Sequence, residues 1–204
     1  MRLVRLRGYF DAPVAPEVRA AVERALAGLA RAGFTQTDAE LPSARGILEA
    51  YVNVVLPEGA AWHARHLDSR SGSYSPIVRA RFESGRAIAA VKYLEGLEFC
   101  RGLRRDVDAL LDGADAIVLP TLPMTAPLLG ADEITIDPAV GDRTAVRSAM
   151  LKHTQPFNMS GHPAISLPIP HTGLPVGLQL VGRVGETAGL LAIAAACEKI
   201  IRDA

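Results

Sequence analysis

Two neighbouring side chains of the sequence, Ser160 and His162, are of the types that perform nucleophilic catalysis. A histidine that takes the proton of a serine hydroxyl makes that hydroxyl a nucleophile. Residues two apart in an irregular turn rarely meet in this way, and no G-x-S-x-G elbow surrounds Ser160. We therefore predict a turn serine followed by a surface histidine. The serine-rich stretch SRSGSYS, residues 69–75, is predicted to be a polar loop.

Two other patterns could bind a metal ion or a phosphate. His63 and His66 in WHARH have a spacing that could direct both rings toward one metal. Since no Cys, Asp or Glu cluster completes the site, we expect a helix face near the surface and no metal. Gly182 and Gly185 follow a predicted strand but lack the G-x-G-x-x-G and P-loop patterns, so they are interpreted as a plain strand-to-helix connection.

Short apolar runs and helix signals predict the elements that position these residues. A strand over residues 3–6 precedes a helix that starts at Pro16 and stops near Gly33, and a weaker strand follows over residues 34–41. Such a strand–helix–strand unit normally forms two parallel strands. Without a repeat or a linker, residues 1–204 are expected to form one α/β unit. Further strands are predicted at residues 115–119, 164–167 and 176–181.

The middle of the chain is predicted to be mainly helical. Residues 44–67 have a helical pattern that Pro57 and Gly59 interrupt, and Ser75 is placed to cap a helical region that extends to Leu111. Gly85 is predicted to break that region. Residues 131–143 are predicted to be irregular and exposed, and residues 145–153 to form a short helix.

Composition excludes several classes of function. The chain has 204 residues, with 22 Lys+Arg and 22 Asp+Glu, so its formal net charge is zero. A balanced charge offers no electrostatic surface for nucleic acid or an anionic membrane. No apolar run reaches the ~18–20 residues of a membrane span, and no signal peptide is recognisable. We therefore expect a cytoplasmic protein, with Cys100 and Cys197 as reduced core residues.

Four segments, in the same order, resemble the amidase signature family. Residues 154–182, TQPFNMSGHPAISLPIPHTGLPVGLQLVG, resemble its closing segment, T-x-P-F-N-x-x-G-x-P-A-I-S-x-P followed by G-L-P-V-G-L-Q-L-V-G. PTLPMTAP at residues 120–127 resembles P-T-x-P-x-x-A-P, and the opening GYFD and the helical residues 74–111 also fit. One departure is Pro168-Ile169-Pro170, where the family commonly has P-x-G. The resemblance implies part of a mixed β-sheet flanked by helices.

The resemblance also implies which catalytic residues this chain lacks. Family members use a serine nucleophile in a Gly/Ser-rich stretch, a second serine and a lysine, with no metal or organic cofactor. No such stretch precedes the matched segments here. The three lysines, Lys92, Lys152 and Lys199, lie in predicted helices, whereas the family's lysine ends an apolar strand. No catalytic residue is therefore carried over to this chain.

Substrate-pocket residues can be carried over, because the family's P-T-x-P-x-x-A-P loop and T-x-P-F-N turn lie near the catalytic cleft. An apolar ring and a side-chain amide are suited to line such a pocket. The alternative is that Asn158 and Gly161 simply build a tight turn. The candidates are Thr121, Pro123, Met124, Phe157, Asn158 and Gly161.

The sequence thus favours the C-terminal part of an amidase signature hydrolase, from a truncated or split gene, that is inactive by itself. The parent would cleave a small carboxamide, or pass ammonia to a charged tRNA. An alternative is a non-catalytic subunit that completes a split amidase or glutamine-dependent amidotransferase. The position of Met1 directly before the first predicted strand fits this alternative. An independent small-molecule-binding α/β protein is a weaker alternative. The expected partner is the N-terminal catalytic half, or a second copy through an unpaired sheet edge.

Overall fold

A mixed five-stranded sheet organises the chain in the computed structural model, which describes residues 1–11 and 13–203. The strands of this sheet, in spatial order, are β2 (Thr35–Ala39), β1 (Arg2–Leu6), β3 (Ala116–Pro120), β7 (Val176–Val181) and β6 (Ala164–Ile169). β1 is parallel to β2 and β3, whereas β7 is antiparallel to β3 and to β6. The predicted parallel strand–helix–strand unit is therefore confirmed, as is the α/β class with a mixed sheet.

Helices cover both faces of the sheet. The central strand, β3, has apolar side chains on both faces, and these side chains are buried under the helices. Ala116 and Val118 of β3 pack into one core with α1 (Pro16–Arg31) and α7 (Thr187–Arg202). Ile117 and Leu119 pack into a second core with α4 (Ala90–Leu111) and α6 (Gln155–Ser160). A continuous apolar run such as DAIVL is typical of a strand buried on both faces.

The helical layer beyond the second core differs from the sequence prediction at one point. α2 (Ile47–Ser69) passes through Pro57 without a break and packs against α3 (Pro76–Gly85) and α4. Packing on these two helices outweighs the hydrogen bond that Pro57 cannot donate. Gly59 lets Phe82 approach, since a Cβ there would lie 2.6 Å from that ring.

Signals at the ends of the helices were predicted more accurately than the helix interiors. The Ser75 hydroxyl accepts a hydrogen bond from the Val78 amide at 3.4 Å, which confirms the predicted cap of α3. α3 ends at Gly85, as predicted, and α4 begins at Ala90. Cys197 is buried in the first core, while Cys100 is only half-buried on α4.

Two segments form regular structure where irregular chain was predicted. β4 (Glu133–Thr135) pairs with β5 (Arg143–Ala145) as a small antiparallel ribbon that leads into α5 (Val146–Leu151). Strands of three residues are too short to give a periodic pattern. The T-x-P-F-N segment is the helix α6 and not an extended turn, with a proline in its first turn and Gly161 at φ +77° as its C-cap.

The sheet has edge strands at β2 and β6. The Ala164, Ser166 and Pro168 side chains of β6 are exposed, and Pro168 suits an edge because it donates no ladder hydrogen bond. Within residues 1–11 and 13–203, no helix is both long and apolar enough to cross a membrane.

Candidate functional site

Ser160 and His162 do meet in the structure, contrary to the sequence prediction. His162 is only 6% exposed, so the prediction of a surface histidine was wrong. Its Nδ1 lies 2.9 Å from the Ser160 hydroxyl, and its Nε2 lies 3.1 Å from a carboxylate oxygen of Asp108 on α4. The left-handed turn at Gly161 brings the two side chains together. Sequence spacing alone did not show this, because the turn follows a helix that was not predicted.

This serine–histidine–aspartate chain has the order of a catalytic triad but the environment of a structural contact. With Nε2–H donating to Asp108, Nδ1 is left to accept from the Ser160 hydroxyl. Ser160, however, has no exposed surface, so an amide substrate cannot reach its oxygen. Burial lowers the pKa of His162, and the hydrogen bond with Asp108 opposes that shift. We interpret these two hydrogen bonds as a structural contact, the polar clamp, in which Ser160 and His162 attach the end of α6 to Asp108 of α4.

Gly161, one of the pocket candidates, belongs to the same clamp. The Arg104 guanidinium donates from Nε to the Ser160 carbonyl at 2.7 Å and lies directly over Gly161. A Cβ at this glycine would overlap the Arg104 side chain. The positive φ therefore requires a glycine here, whereas the end of the Arg104 side chain could move to admit a Cβ.

Thr121 and Met124 line a cavity of about 440 Å³ at the end of the sheet. We call it the sheet-end cavity. The Thr121 and Ser166 hydroxyls lie 2.6 Å apart in its wall. Gly177 leaves room for this pair, because a Cβ there would lie 2.5 Å from Ser166 Oγ and 2.7 Å from Thr121 Oγ1. The carbonyl of Pro123 accepts a hydrogen bond from the Ala15 amide at 2.7 Å, which fixes the loop to the start of α1.

The remaining candidates from the sequence lie away from the sheet-end cavity. Phe157 is 1% exposed and belongs to the second core, with its ring 6.3 Å from that of Phe10. Asn158 is exposed on α6, and Gly161 lies under Arg104. The structure thus brings Thr121 and Met124 together in one cavity wall, whereas Pro123 and the T-x-P-F-N residues are not part of that wall.

A second cavity, of about 270 Å³, was missed by the sequence analysis. Arg81 of α3 and Arg147 of α5 line it, and we call it the two-arginine pocket. Gln155, the first residue of α6, also lines it and is only 4% exposed. Arg147 donates to the Tyr51 hydroxyl at 3.3 Å. No local pattern could have revealed this pocket, since its polar residues come from separate segments of the chain.

The histidines of WHARH lie in a different environment from the one a metal would need. His63 Nδ1 lies 2.9 Å from the Tyr74 hydroxyl, and its ring stacks on Phe82 with centroids 4.5 Å apart. Across the described ranges, no group of three or more His, Cys, Asp or Glu side chains could hold a metal ion. His63 therefore belongs to an aromatic cluster between α2 and α3.

Comparison with known proteins explains this set of motifs. The family model described as amidase matches residues 2–191. This chain belongs to the amidase signature family. One of the subunits of the glutamyl-tRNA(Gln) amidotransferase of Moorella thermoacetica is 34% identical over 217 residues, which cover 95% of this chain and 43% of that protein. AtzE, a 1-carboxybiuret hydrolase subunit of a Pseudomonas species, is 31% identical, over 89% of this chain and 39% of its own length.

Solved structures agree with the sequence comparison. A crystal structure of an amidase superposes with a TM-score of 0.89 at 30% identity, over 98% of this chain and 46% of the other. A vestigial protein complex related to an s-triazine catabolic enzyme gives a TM-score of 0.84 at 28% identity, over 100% of this chain and 43% of the other. This chain therefore spans less than half the length of these relatives.

The lysines of this chain lie on or next to helices. Lys92 of α4 is exposed and pairs with Glu95 at 2.8 Å, and Lys199 lies in the last turn of α7. Lys152 directly follows α5, with its ammonium 5.1 Å from the centroid of the Tyr9 ring. Partial burial lowers the pKa of Lys152. Each lysine thus lies outside the strands. The resemblance to the family, in contrast, implies a catalytic lysine at the end of an apolar strand.

His153 is the most strongly perturbed histidine of the described residues. Its Nδ1 lies 3.0 Å from the carbonyl of Pro120 at the end of β3, whereas its Nε2 is buried without a hydrogen-bond partner among these residues. Burial, with a smaller effect of Lys152, lowers the pKa of His153 to about 3. The ring is therefore neutral in the folded protein and donates from Nδ1.

This burial predicts a loss of stability in mild acid. The unfolded chain binds a proton at His153 below pH ~6.5, whereas the folded chain does so only near the pKa of about 3. Stability is therefore complete above pH ~6.5 and falls toward pH 3, and between pH 7.5 and 5.0 the loss from this residue is about 2 kcal/mol. Urea unfolding at both pH values measures it. His153→Asn can still donate to the Pro120 carbonyl and should lose much less; an equal loss would contradict the assignment.

Proposed function

We propose that this chain is the C-terminal part of an amidase signature hydrolase, and that it forms part of the substrate cleft without supplying the catalytic residues. The intact enzyme would hydrolyse a small carboxamide at its C–N bond. The observation that carries this proposal is the superposition on an amidase over 98% of this chain but only 46% of that protein. The catalytic serines and lysine would then come from the remaining part of the fold.

The arrangement of the sheet supports this division of labour. β6 is an edge strand with exposed outward residues, and the sheet-end cavity opens beside it along Ser166 and Pro168. An unpaired strand next to an open apolar cavity is a natural place for further strands to add. We propose that the N-terminal catalytic half covers this edge. Without it, the same edge favours self-association of the chain.

A graft experiment tests the proposal. The chain replaces the matching segment of the structurally similar amidase, and ammonia release from simple carboxamides is measured for the chimera and for the chain alone. We expect activity in the chimera and none in the isolated chain. Ser160→Ala should leave the chimera active, since that hydroxyl is buried and inaccessible. Hydrolysis by the isolated chain, or a folded chimera without activity, would contradict the proposal.

A second candidate function is a non-catalytic subunit that completes a split amidase or a glutamine-dependent amidotransferase. Relatives of this chain that are named as subunits favour it, including the amidotransferase relative from Moorella thermoacetica and AtzE. Native purification of the chain from its own cells distinguishes the two. A stoichiometric partner with a Gly/Ser-rich segment and an upstream lysine would support the split enzyme, and a chain that travels alone would contradict it.

A further inference from the structure

A groove between α4 and α6 combines positive charge with apolar walls, and we call it the basic groove. Its volume is about 380 Å³. Three arginines and three less polar side chains line it, namely Arg101, Arg104, Arg105, Leu97, Cys100 and Met159. No Asp or Glu is among these lining residues. The groove is therefore suited to a partner that presents an apolar surface flanked by carboxylates.

The arginines of the basic groove are only partly neutralised by the described residues around them. Arg101 lies 2.9 Å and Arg105 lies 3.7 Å from the Glu98 carboxylate, so two guanidiniums share one acid. Arg104 forms no ion pair with a described residue and donates to a backbone carbonyl instead. Asp108, one turn later on α4, is hydrogen-bonded to the buried histidine of the polar clamp. The groove thus keeps an excess of positive charge, which attracts an acidic surface.

The opposite charge lies on another part of the same chain, the ribbon of β4 and β5. Residues 131–143, which we call the acidic ribbon, carry four carboxylates and one arginine. Glu133 of β4 pairs with Arg143 of β5 at 2.9 Å, which joins the two strands. Asp137 and Asp142 flank the tip of the ribbon, and neither forms an ion pair with a described residue. These two carboxylates are therefore available to a cationic partner.

The tip of the acidic ribbon is apolar and is held in shape by its own hydrogen bonds. Pro138, Ala139 and Val140 are exposed, with Val140 at 55%. The Ala139 amide donates to the Asp137 carboxylate at 2.9 Å, and the Val140 and Gly141 amides donate to the Asp137 carbonyl at 3.0 Å. A turn that is already ordered loses little conformational freedom on binding, so it suits a docking element.

We propose that the acidic ribbon of one copy of this chain docks in the basic groove of a second copy. The apolar tip contacts the apolar walls, and the two flanking aspartates approach the arginines. The ribbon does not fill the groove of its own chain, since no residue of the acidic ribbon lines it. The inference concerns association and not hydrolysis, so it does not depend on the proposed function.

This contact joins two different surfaces, which determines how copies assemble. Each contact leaves one free ribbon and one free groove, so copies join head to tail into rings or longer chains. A ribbon tip in a groove is a small interface, and we therefore expect weak association that rises with protein concentration. Pairing through the edge of β6, in contrast, rests on backbone hydrogen bonds and does not involve these charges.

Two neutralising variants test the contact by analytical ultracentrifugation, with one of the chains fluorescently labelled. The groove variant, Arg101→Gln with Arg105→Gln, keeps its ribbon. The ribbon variant, Asp137→Asn with Asp142→Asn, keeps its groove, and asparagine can still accept the Ala139 amide. At low salt we expect the mixture to associate at least about tenfold more tightly than either variant with itself, because only the mixture pairs an intact ribbon with an intact groove. The mixture should stop at pairs.

Arg24→Gln with Arg65→Gln is the matched control. Both arginines are exposed, on α1 and α2, and neither has an ion pair with a described residue. This control removes the same charge as the groove variant and should self-associate as the parent does. Raising the salt to about 1 M should abolish the excess association of the mixture, because ions screen the paired charges. Pairing through the edge of β6 contributes equally to all these samples and cancels in the comparison.

Several results would overturn the contact between ribbon and groove. These are equal association in the mixture and in the separate variants, an equal loss in the control, and a parent chain that stays monomeric at low salt and high concentration. Excess association that persists at about 1 M salt contradicts the charge pairing. Loss in the groove variant but not in the ribbon variant shows that another segment of the second copy fills the groove. Far-UV circular dichroism verifies that every variant folds as the parent does.

Discussion

Replacing Phe157 with alanine is expected to lower the free energy of unfolding by about 3–5 kcal/mol. Sequence comparison had made this ring a pocket candidate, but the structure places it in the second core, 1% exposed and 6.3 Å from the ring of Phe10. Removing it leaves a cavity between the sheet and the α4–α6 layer, and the surrounding side chains can close such a cavity only in part. Urea unfolding, followed by far-UV circular dichroism, measures the change.

The adjacent residue supplies the control. Asn158 is also a pocket candidate, but it is exposed on α6, so Asn158→Ala should change stability by no more than about 0.5 kcal/mol. Phe157→Leu keeps most of the apolar volume and should fall between the two. If Phe157→Ala is as stable as the parent chain, the ring does not stabilise the core. That result would favour the earlier prediction that Phe157 lines a substrate pocket.

The parts of the fold that the sequence predicted are those with strong local signals. DAIVL, as a short continuous apolar run, predicted β3, which is buried on both faces. Ser75 followed by Pro76 predicted the start of α3, because a cap and a first-turn proline satisfy or remove the free amides of a helix start. The parallel pairing of β1 and β2 followed from the intervening amphipathic helix.

Features that depend on packing between distant segments were not predictable from these signals. Pro57 lies inside a continuous helix because α3 and α4 support it. His162 is buried because Asp108, 54 residues earlier, accepts its hydrogen bond. The two-arginine pocket is assembled from residues of the opening segment, α2, α3, α5 and α6. Motifs within one segment could therefore indicate the family, but not which polar side chains share a cavity.

Gly85 illustrates how a correct prediction can have a different physical cause. It was predicted to break a helix, and α3 does end there, but the residue is buried against α2. A Cβ at Gly85 would overlap the carbonyl group of Leu56, which is backbone and cannot rotate away. Gly85→Ala must therefore push α2 and α3 apart. We expect a loss of about 3 kcal/mol or more, at the upper end for overpacked sites.

Gly189 provides the matched glycine-to-alanine control. It lies in the first turn of α7, and a Cβ there would meet nothing within 4 Å. Alanine is a better helix former than glycine, so Gly189→Ala should stabilise the chain by up to about 1 kcal/mol. Thermal unfolding of both variants, at equal protein concentration, measures the contrast. If the two substitutions change stability in the same direction, close contact with Leu56 is not the reason for a glycine at position 85. If they differ in sign, that contact sets the distance between α2 and α3 and so positions Arg81 at its pocket.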